Sequence, residues 1–227
     1  MHNSKLIKIL KTLSPEEFRL LKKFLRSPFY NYTNSLVDLY EILRKHYPEF
    51  ESPRLRKEKV FERLFPSTTY NDKKMRHTLS ECTLLVEEFL VALKLREDQQ
   101  LKKRILTEAY GQRNVYDLFE RNTNELVEEL ENGPIGMETY SQLSTLHRHY
   151  YFHPLTKKNK LAVPSLDKAM QQLDQSFAFQ KLKLSTEMRA RSNYLQEDYA
   201  IKYFNSILDN AKEDKENYPA LSIYIRL

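Results

Sequence analysis

The densest run of chemically capable side chains in this 227-residue chain is His147-Arg148-His149-Tyr150-Tyr151-Phe152-His153. His149 and His153 stand four apart, so on a helix they share a face, a spacing that chelates zinc or copper. A metal needs more ligands, and no carboxylate or cysteine lies nearby in sequence to complete a set of four. Pro154 also places His153 at a helix end, where a cationic ring complements the negative end of the helix dipole. The run therefore reads as aromatic packing with a favourable terminal charge, and no metal is expected. Cys82 is the only cysteine, so it forms no internal disulfide. It shares a stripe with Leu79 and Val86 and reads as a small buried core residue, not a reactive thiol.

Sites that can be found by spacing are missing. The chain has no G-x-x-x-x-G-K-[ST], G-x-G-x-x-G, G-x-S-x-G, H-E-x-x-H or C-x-x-C, and no E-x-x-H of the kind that builds di-metal sites in helical bundles. Only three glycines occur, Gly111, Gly133 and Gly136, so a glycine-built phosphate cradle has nothing to be made from. Catalysis requires positioned acids, bases or metals. The expectation is no catalytic residue, no cofactor and no enzyme.

Two surfaces remain as candidates for binding. The turn Ser27 to Tyr32 carries Phe29, Tyr30 and Tyr32, aromatic side chains that give binding area at low entropic cost. The other surface is basic. Residues 1–110 hold 22 Lys/Arg against 15 Asp/Glu, whereas residues 111–227 hold 15 against 16, which accounts for the net charge of +6. Within the basic half, a helix at about 56–65, a turn at 66–71 and the start of a helix over 72–97 suggest a loose helix-turn-helix. Arg54, Arg56, Lys57, Lys73, Lys74 and Arg76 would then meet phosphates or a groove. That turn exceeds the usual 3–4 residues, and the second helix is too apolar for more than its first turn and a half to be free.

The elements that must carry these residues are helices. Ser14-Pro15-Glu16-Glu17 is a capping box with proline at the first helical position. It starts a helix with Phe18, Leu21, Phe24 and Leu25 inward, which ends before Pro28. A second helix runs from about Asn34 through Leu36, Leu39, Tyr40, Leu43 and Tyr47 to Pro48. A third opens at Ser52-Pro53 and buries Val60, Phe61, Leu64 and Phe65. Asn71 caps the strongest helix, in which Met75, Leu79, Cys82, Val86, Phe89 and Leu93 alternate in steps of four and three. Leu85, Leu90, Val91 and Leu95 add a second stripe, predicting a central helix packed on more than one side.

Beyond residue 98 the pattern predicts helical pairs. One helix places Leu101, Ile105, Leu106 and Ala109 inward; the next uses Val115, Leu118, Phe119, Leu126, Val127 and Leu130 and stops at Gly133-Pro134. A helix over about 138–152 and a basic loop over 153–164 lead to a long helix. There Leu166, Met170, Leu173, Phe177, Leu184 and Met188 recur at heptad-like spacing. A last helix uses Tyr199, Tyr203, Phe204, Ile207 and Leu208. The fold class is all-α: an N-terminal helical domain over residues 1–97, then α-solenoid-like antiparallel pairs over 98–227. From Tyr218 on, Ala220, Leu221, Ile223, Tyr224, Ile225 and Leu227 run apolar to the last residue, unlike a solenoid cap, so the repeats are expected to continue past the chain end or to be covered by another copy.

Residues 14–31, SPEEFRLLKKFLRSPFYN, and 59–94, KVFERLFPSTTYNDKKMRHTLSECTLLVEEFLVALK, resemble a group of long bacterial all-helical proteins. In that group a similar N-terminal region precedes tetratricopeptide-like pairs. The resemblance covers about the first hundred residues and implies helical repeats and a longer parent chain; it carries over no functional residue. No signal-peptide core of about 7–15 apolar residues and no apolar run of about 18 is present, so a cytoplasmic protein that does not engage membranes is expected. The reading of function is a non-catalytic helical scaffold that binds a protein partner. The alternative is nucleic-acid binding through the basic N-terminal half.

Overall fold

In the computed structural model the described residues are 1, 3–156, 163–195, 200 and 202–213. The chain is all-α: ten helices and one short 3₁₀ turn are found among the described residues, with no strand. It divides into two compact units, residues 1–99 and 100–227.

The N-terminal unit is built from α1 (Lys5–Leu10), α2 (Pro15–Leu25), α3 (Asn34–Arg44), the 3₁₀ turn Pro53–Leu55, α4 (Lys57–Leu64) and α5 (Asp72–Glu97). The capping box of α2 is formed: the Ser14 hydroxyl accepts from the Glu17 amide at 3.2 Å, and the Glu17 carboxylate accepts from the Ser14 amide at 2.6 Å. One core gathers Phe18, Leu21 and Leu25 of α2, Leu36, Leu39 and Leu43 of α3, Val60 and Phe61 of α4, and Met75, Cys82, Val86 and Phe89 of α5. Each such Leu, Val or Phe gains roughly 1.5–3 kcal/mol from leaving water. Polar tips are placed as carefully: the Tyr40 hydroxyl donates to the Phe18 carbonyl at 2.8 Å and the Tyr47 hydroxyl to the Leu13 carbonyl at 2.7 Å. The Phe18 ring stacks on Tyr47 with centroids 4.3 Å apart.

Several boundaries differ from the sequence reading. The sequence reading places no helix before Ser14, yet α1 forms, with Leu6, Ile7 and Leu10 buried and Ser4 as the cap. α3 ends at Arg44 instead of running to Tyr47. Phe50 explains the early stop: it takes a left-handed φ of 52° and is fully buried, its amide donating to the His46 carbonyl at 2.7 Å. Burial of a phenyl ring outweighs the roughly 1–2 kcal/mol cost of that backbone conformation. Pro53 starts a 3₁₀ turn and not α4, because Arg56 is extended between the two. Along α5 the first stripe is buried from Met75 to Phe89 and half-buried at Leu93, while in the second stripe Leu85 and Leu90 are half-buried against the same core and Val91 is 57% exposed.

The C-terminal unit comprises α6 (Gln99–Gln112), α7 (Tyr116–Glu131), α8 (Met137–Phe152), α9 (Val163–Leu195) and α10 (Phe204–Glu213). Each contacts the next in antiparallel sense. Lys103 of α6 pairs with Glu125 and Glu129 of α7, while Leu126 and Leu130 of α7 pack on Leu143 and Leu146 of α8. The Ser144 hydroxyl of α8 donates to the Ala169 carbonyl of α9 at 2.8 Å, and Ile207 of α10 clusters with Phe179 and Leu182 of α9. Ile105 and Leu106, expected inward, are 45% and 41% exposed; the buried residue of α6 is Thr107. The larger departure is α9, where Met170, Leu173, Phe177 and Leu184 are 51–61% exposed and the buried positions include Ala169, Gln175, Ser176, Phe179, Leu182 and Ser185. Tyr199 and the apolar segment 218–227 lie outside the described residues.

Candidate partner-binding surface

The turn between α2 and α3 presents its aromatic side chains on a fixed backbone. Asn31 fixes it: its side-chain amide donates to the Leu25 carbonyl at 2.8 Å and to the Thr33 carbonyl at 3.1 Å, and its side-chain oxygen accepts from the Thr33 amide at 2.8 Å. The Tyr30 and Asn31 amides both donate to the Ser27 carbonyl. With the backbone held this way, Tyr30 stacks on Phe24, centroids 4.1 Å apart, and Phe29 meets Tyr30 edge-on at 4.9 Å. Phe29 and Tyr32 themselves are 79% and 87% exposed. Rings that are largely exposed, on a turn with its backbone locked, are prepared for an external contact.

Thr33 and Ser35, at the end of this turn, form one wall of a groove of about 500 Å³, opposite Asn71, Lys73, Lys74 and His77 at the start of α5, with Phe65 also lining it. Asn71 caps α5 by accepting from the Lys74 amide at 2.9 Å. The Lys74 ammonium lies 3.8 Å from the Phe65 ring centroid, a cation–π contact that holds the charge at the groove. His77 reaches Glu81 at 3.2 Å. The groove thus combines one phenyl ring, a cationic edge and one acid.

The six cations proposed to meet phosphates are not equivalent. Asp72 takes two of them: Lys57 at 3.2 Å and Arg76 at 2.8 Å. The Tyr70 hydroxyl also donates to Asp72 at 3.0 Å, and that bond, together with Lys57, holds the carboxyl below the usual carboxylate range. Lys73 and Lys74 stand at the groove. Arg54 and Arg56 are exposed but do not line it. The sequence reading missed Thr33, Ser35 and Asn31; the only signal for them was an Asn-x-Thr pair flanking the aromatic turn, the pattern of a side chain that bonds its own backbone two residues on.

In the C-terminal unit, His153 is buried and stacked on Phe119 with centroids 4.6 Å apart. Its Nε2 lies 3.1 Å from the Gly111 carbonyl, and its Nδ1 lies 3.3 Å from the Leu155 amide. A carbonyl only accepts and an amide only donates, so the proton sits on Nε2 and both ring nitrogens are engaged. His149 is exposed, at the edge of a cavity of about 230 Å³ shared with Arg104, Glu108 and Phe119. Cys82 is buried, and desolvation pushes its thiol up to about 12, which removes the thiolate a reactive cysteine needs. No cluster of three or more His, Cys, Asp or Glu suited to a metal occurs among the described residues, and none of their helices is long and apolar enough to cross a membrane. No family model, no curated protein and no solved structure matches the chain.

Proposed function

We propose that the chain is a non-catalytic, cytoplasmic helical scaffold that holds a protein partner on the aromatic turn Phe29-Tyr30-Asn31-Tyr32 and the groove beside it. The observation that carries this reading is the exposure of Phe29 and Tyr32 on a turn whose backbone is already fixed by Asn31. A rigid aromatic anchor binds without a large ordering cost. Lys73 and Lys74 at the groove select a partner segment that pairs an apolar anchor with carboxylates. The serial antiparallel contacts from α6 to α10 support a tetratricopeptide-like, repeat-type reading of the second unit, as the resemblance of the N-terminal segments implies.

The test is affinity capture from the native host with the intact chain and with the Phe29→Ala/Tyr32→Ala double variant, after circular dichroism has shown equal helicity. A partner bound by the intact chain and weakened more than about tenfold by the double variant supports the assignment, since aromatic anchors at interface centres cost about 2 kcal/mol or more when truncated. Recovery of no protein at low salt, or of one indifferent to the substitutions, refutes it. A second reading, nucleic-acid binding, is favoured by the exposure of Arg54, Arg56 and Lys73; its test is salt dependence.

A further inference from the structure

α9 wears its polar face inside. The side that packs within its own unit carries Ala169, Gln175, Ser176 and Ser185 beside Phe179 and Leu182. That side is fixed there, because the Ser144 hydroxyl of α8 donates to the Ala169 carbonyl and Ile207 of α10 clusters with Phe179 and Leu182. Met170, Leu173, Phe177 and Leu184 point the other way and are 61%, 58%, 51% and 61% exposed. Steps of three, four and seven put all four on one narrow line, the two-positions-in-seven seam of a coiled coil and not the broad face of a helix lying on a core. Leu166 and Met188, both half-buried, extend the line at its ends.

We infer that this seam is closed by α9 of a second copy running antiparallel, with Phe177 at the two-fold axis. Four of the other apolar seam positions are placed symmetrically about that residue. Met170 and Leu184 lie seven residues to either side of Phe177, and Leu166 and Met188 eleven to either side. An antiparallel pair centred on Phe177 therefore sets Met170 on the partner's Leu184 and Leu166 on the partner's Met188, each contact occurring twice, as an isologous interface requires. Leu173, on the other flank of the seam, meets the partner's Gln180. The flanking charges agree: Asp174 faces the partner's Lys181 twice. The four exposed apolar side chains contribute about 100 Å² each from both copies, roughly 800 Å². The polar residues flanking them along about 35 Å of helix raise the total toward the ~1,200 Å² at which specific interfaces begin.

The test is the solution mass of the full-length chain over a concentration series. The expected result is a mass that rises toward twice 27.3 kDa and a dissociation constant weakened at least a hundredfold in Leu173→Glu and in Phe177→Glu. Both positions are exposed, so far-ultraviolet circular dichroism is expected to be unchanged and separates lost pairing from lost folding. Asp174→Lys is expected to weaken pairing, and the Asp174→Lys/Lys181→Asp double variant to restore it. Orientation is read by oxidative crosslinking: Phe177→Cys crosslinks with itself, and Met170→Cys crosslinks only when mixed with Leu184→Cys, the buried Cys82 staying silent. A chain that stays monomeric at every concentration, a dimer indifferent to Phe177→Glu, or efficient crosslinking of Met170→Cys with itself overturns the proposal.

Discussion

Replacing His147 by leucine is expected to stabilise the C-terminal unit and to remove a pH dependence from it. His147 is buried on α8, its Nε2 has no hydrogen-bond partner among the described residues, and burial, reinforced by Lys168 and opposed by Glu131, holds its imidazole below the ordinary value of 6.5. The folded form therefore binds this proton less readily than the unfolded chain. A depressed folded value gives stability that is present above about 6.5 and is lost as pH falls from there toward the lower folded value, with a slope of at most about 1.4 kcal/mol per pH unit for one proton. Leucine fills similar volume and leaves no buried polar atom unpaired, which relieves a penalty of about 1–2 kcal/mol and raises the midpoint by several degrees. Calorimetric unfolding of wild type and His147→Leu between about pH 5 and 8 spans that window. The transition of the variant is expected to lie higher at every pH and to flatten on the acidic side. A variant that is less stable near neutrality, or that keeps the wild-type slope, refutes the assignment of His147 as a neutral, unpaired ring inside the unit.

Phe89, 4% exposed and edge-on to Phe24 at 5.5 Å, is expected to cost about 3–5 kcal/mol when replaced by alanine, read as a lower urea midpoint at unchanged slope. Cys82 is expected to resist a thiol-specific reagent in the native chain and to react fully once urea unfolds it; its thiol is raised to about 12, so the stability it contributes persists below the free-thiol value and falls as pH rises beyond about 8.5.

The sequence makes local rules legible and leaves their tertiary use open. The Ser14 capping box, the Asn71 cap and the four-three stripe of α5 are one-dimensional patterns with a local cause, and each stands where it was read. Phe50 was not foreseeable, because its left-handed backbone is stabilised by rings from α2 and from the turn after α3, including Phe18 and Tyr47, and no spacing rule reports that. α9 shows a different limit. Its heptad-like stripe was legible residue by residue, but periodicity says only that apolar side chains share a line. Which line a neighbouring helix covers depends on the neighbour, and α8 offers Ser144 and Tyr140 to Ala169 and Phe179 on the opposite side. At the candidate surface the three aromatics were legible by type, whereas the difference between Tyr30, stacked on Phe24, and the exposed rings of Phe29 and Tyr32 follows from the bonds of Asn31.

Asp72 decides how much of the basic half is available to a polyanion, and this separates the two functional readings by arithmetic. Of the six cations first considered, Asp72 occupies Lys57 and Arg76, and Lys74 lies over Phe65. Arg54, Arg56 and Lys73 remain. Three phosphate contacts imply that log K falls with log salt at a slope of about −3, a loss of about 40-fold between 50 and 200 mM; five imply a slope of about −4.5 and a loss of about 500-fold. Asp72→Asn frees two cations without removing any apolar contact, and Asn71 still caps α5. On the nucleic-acid reading this substitution is expected to strengthen binding at low salt and to steepen the salt slope by about 2. On the protein-scaffold reading, neither the wild-type chain nor Asp72→Asn shifts DNA or RNA at 50 mM salt, and capture of the protein partner persists in Asp72→Asn while Phe29→Ala/Tyr32→Ala abolishes it. A mobility shift in wild type that steepens in Asp72→Asn would move the function from the aromatic turn to the first turn of α5.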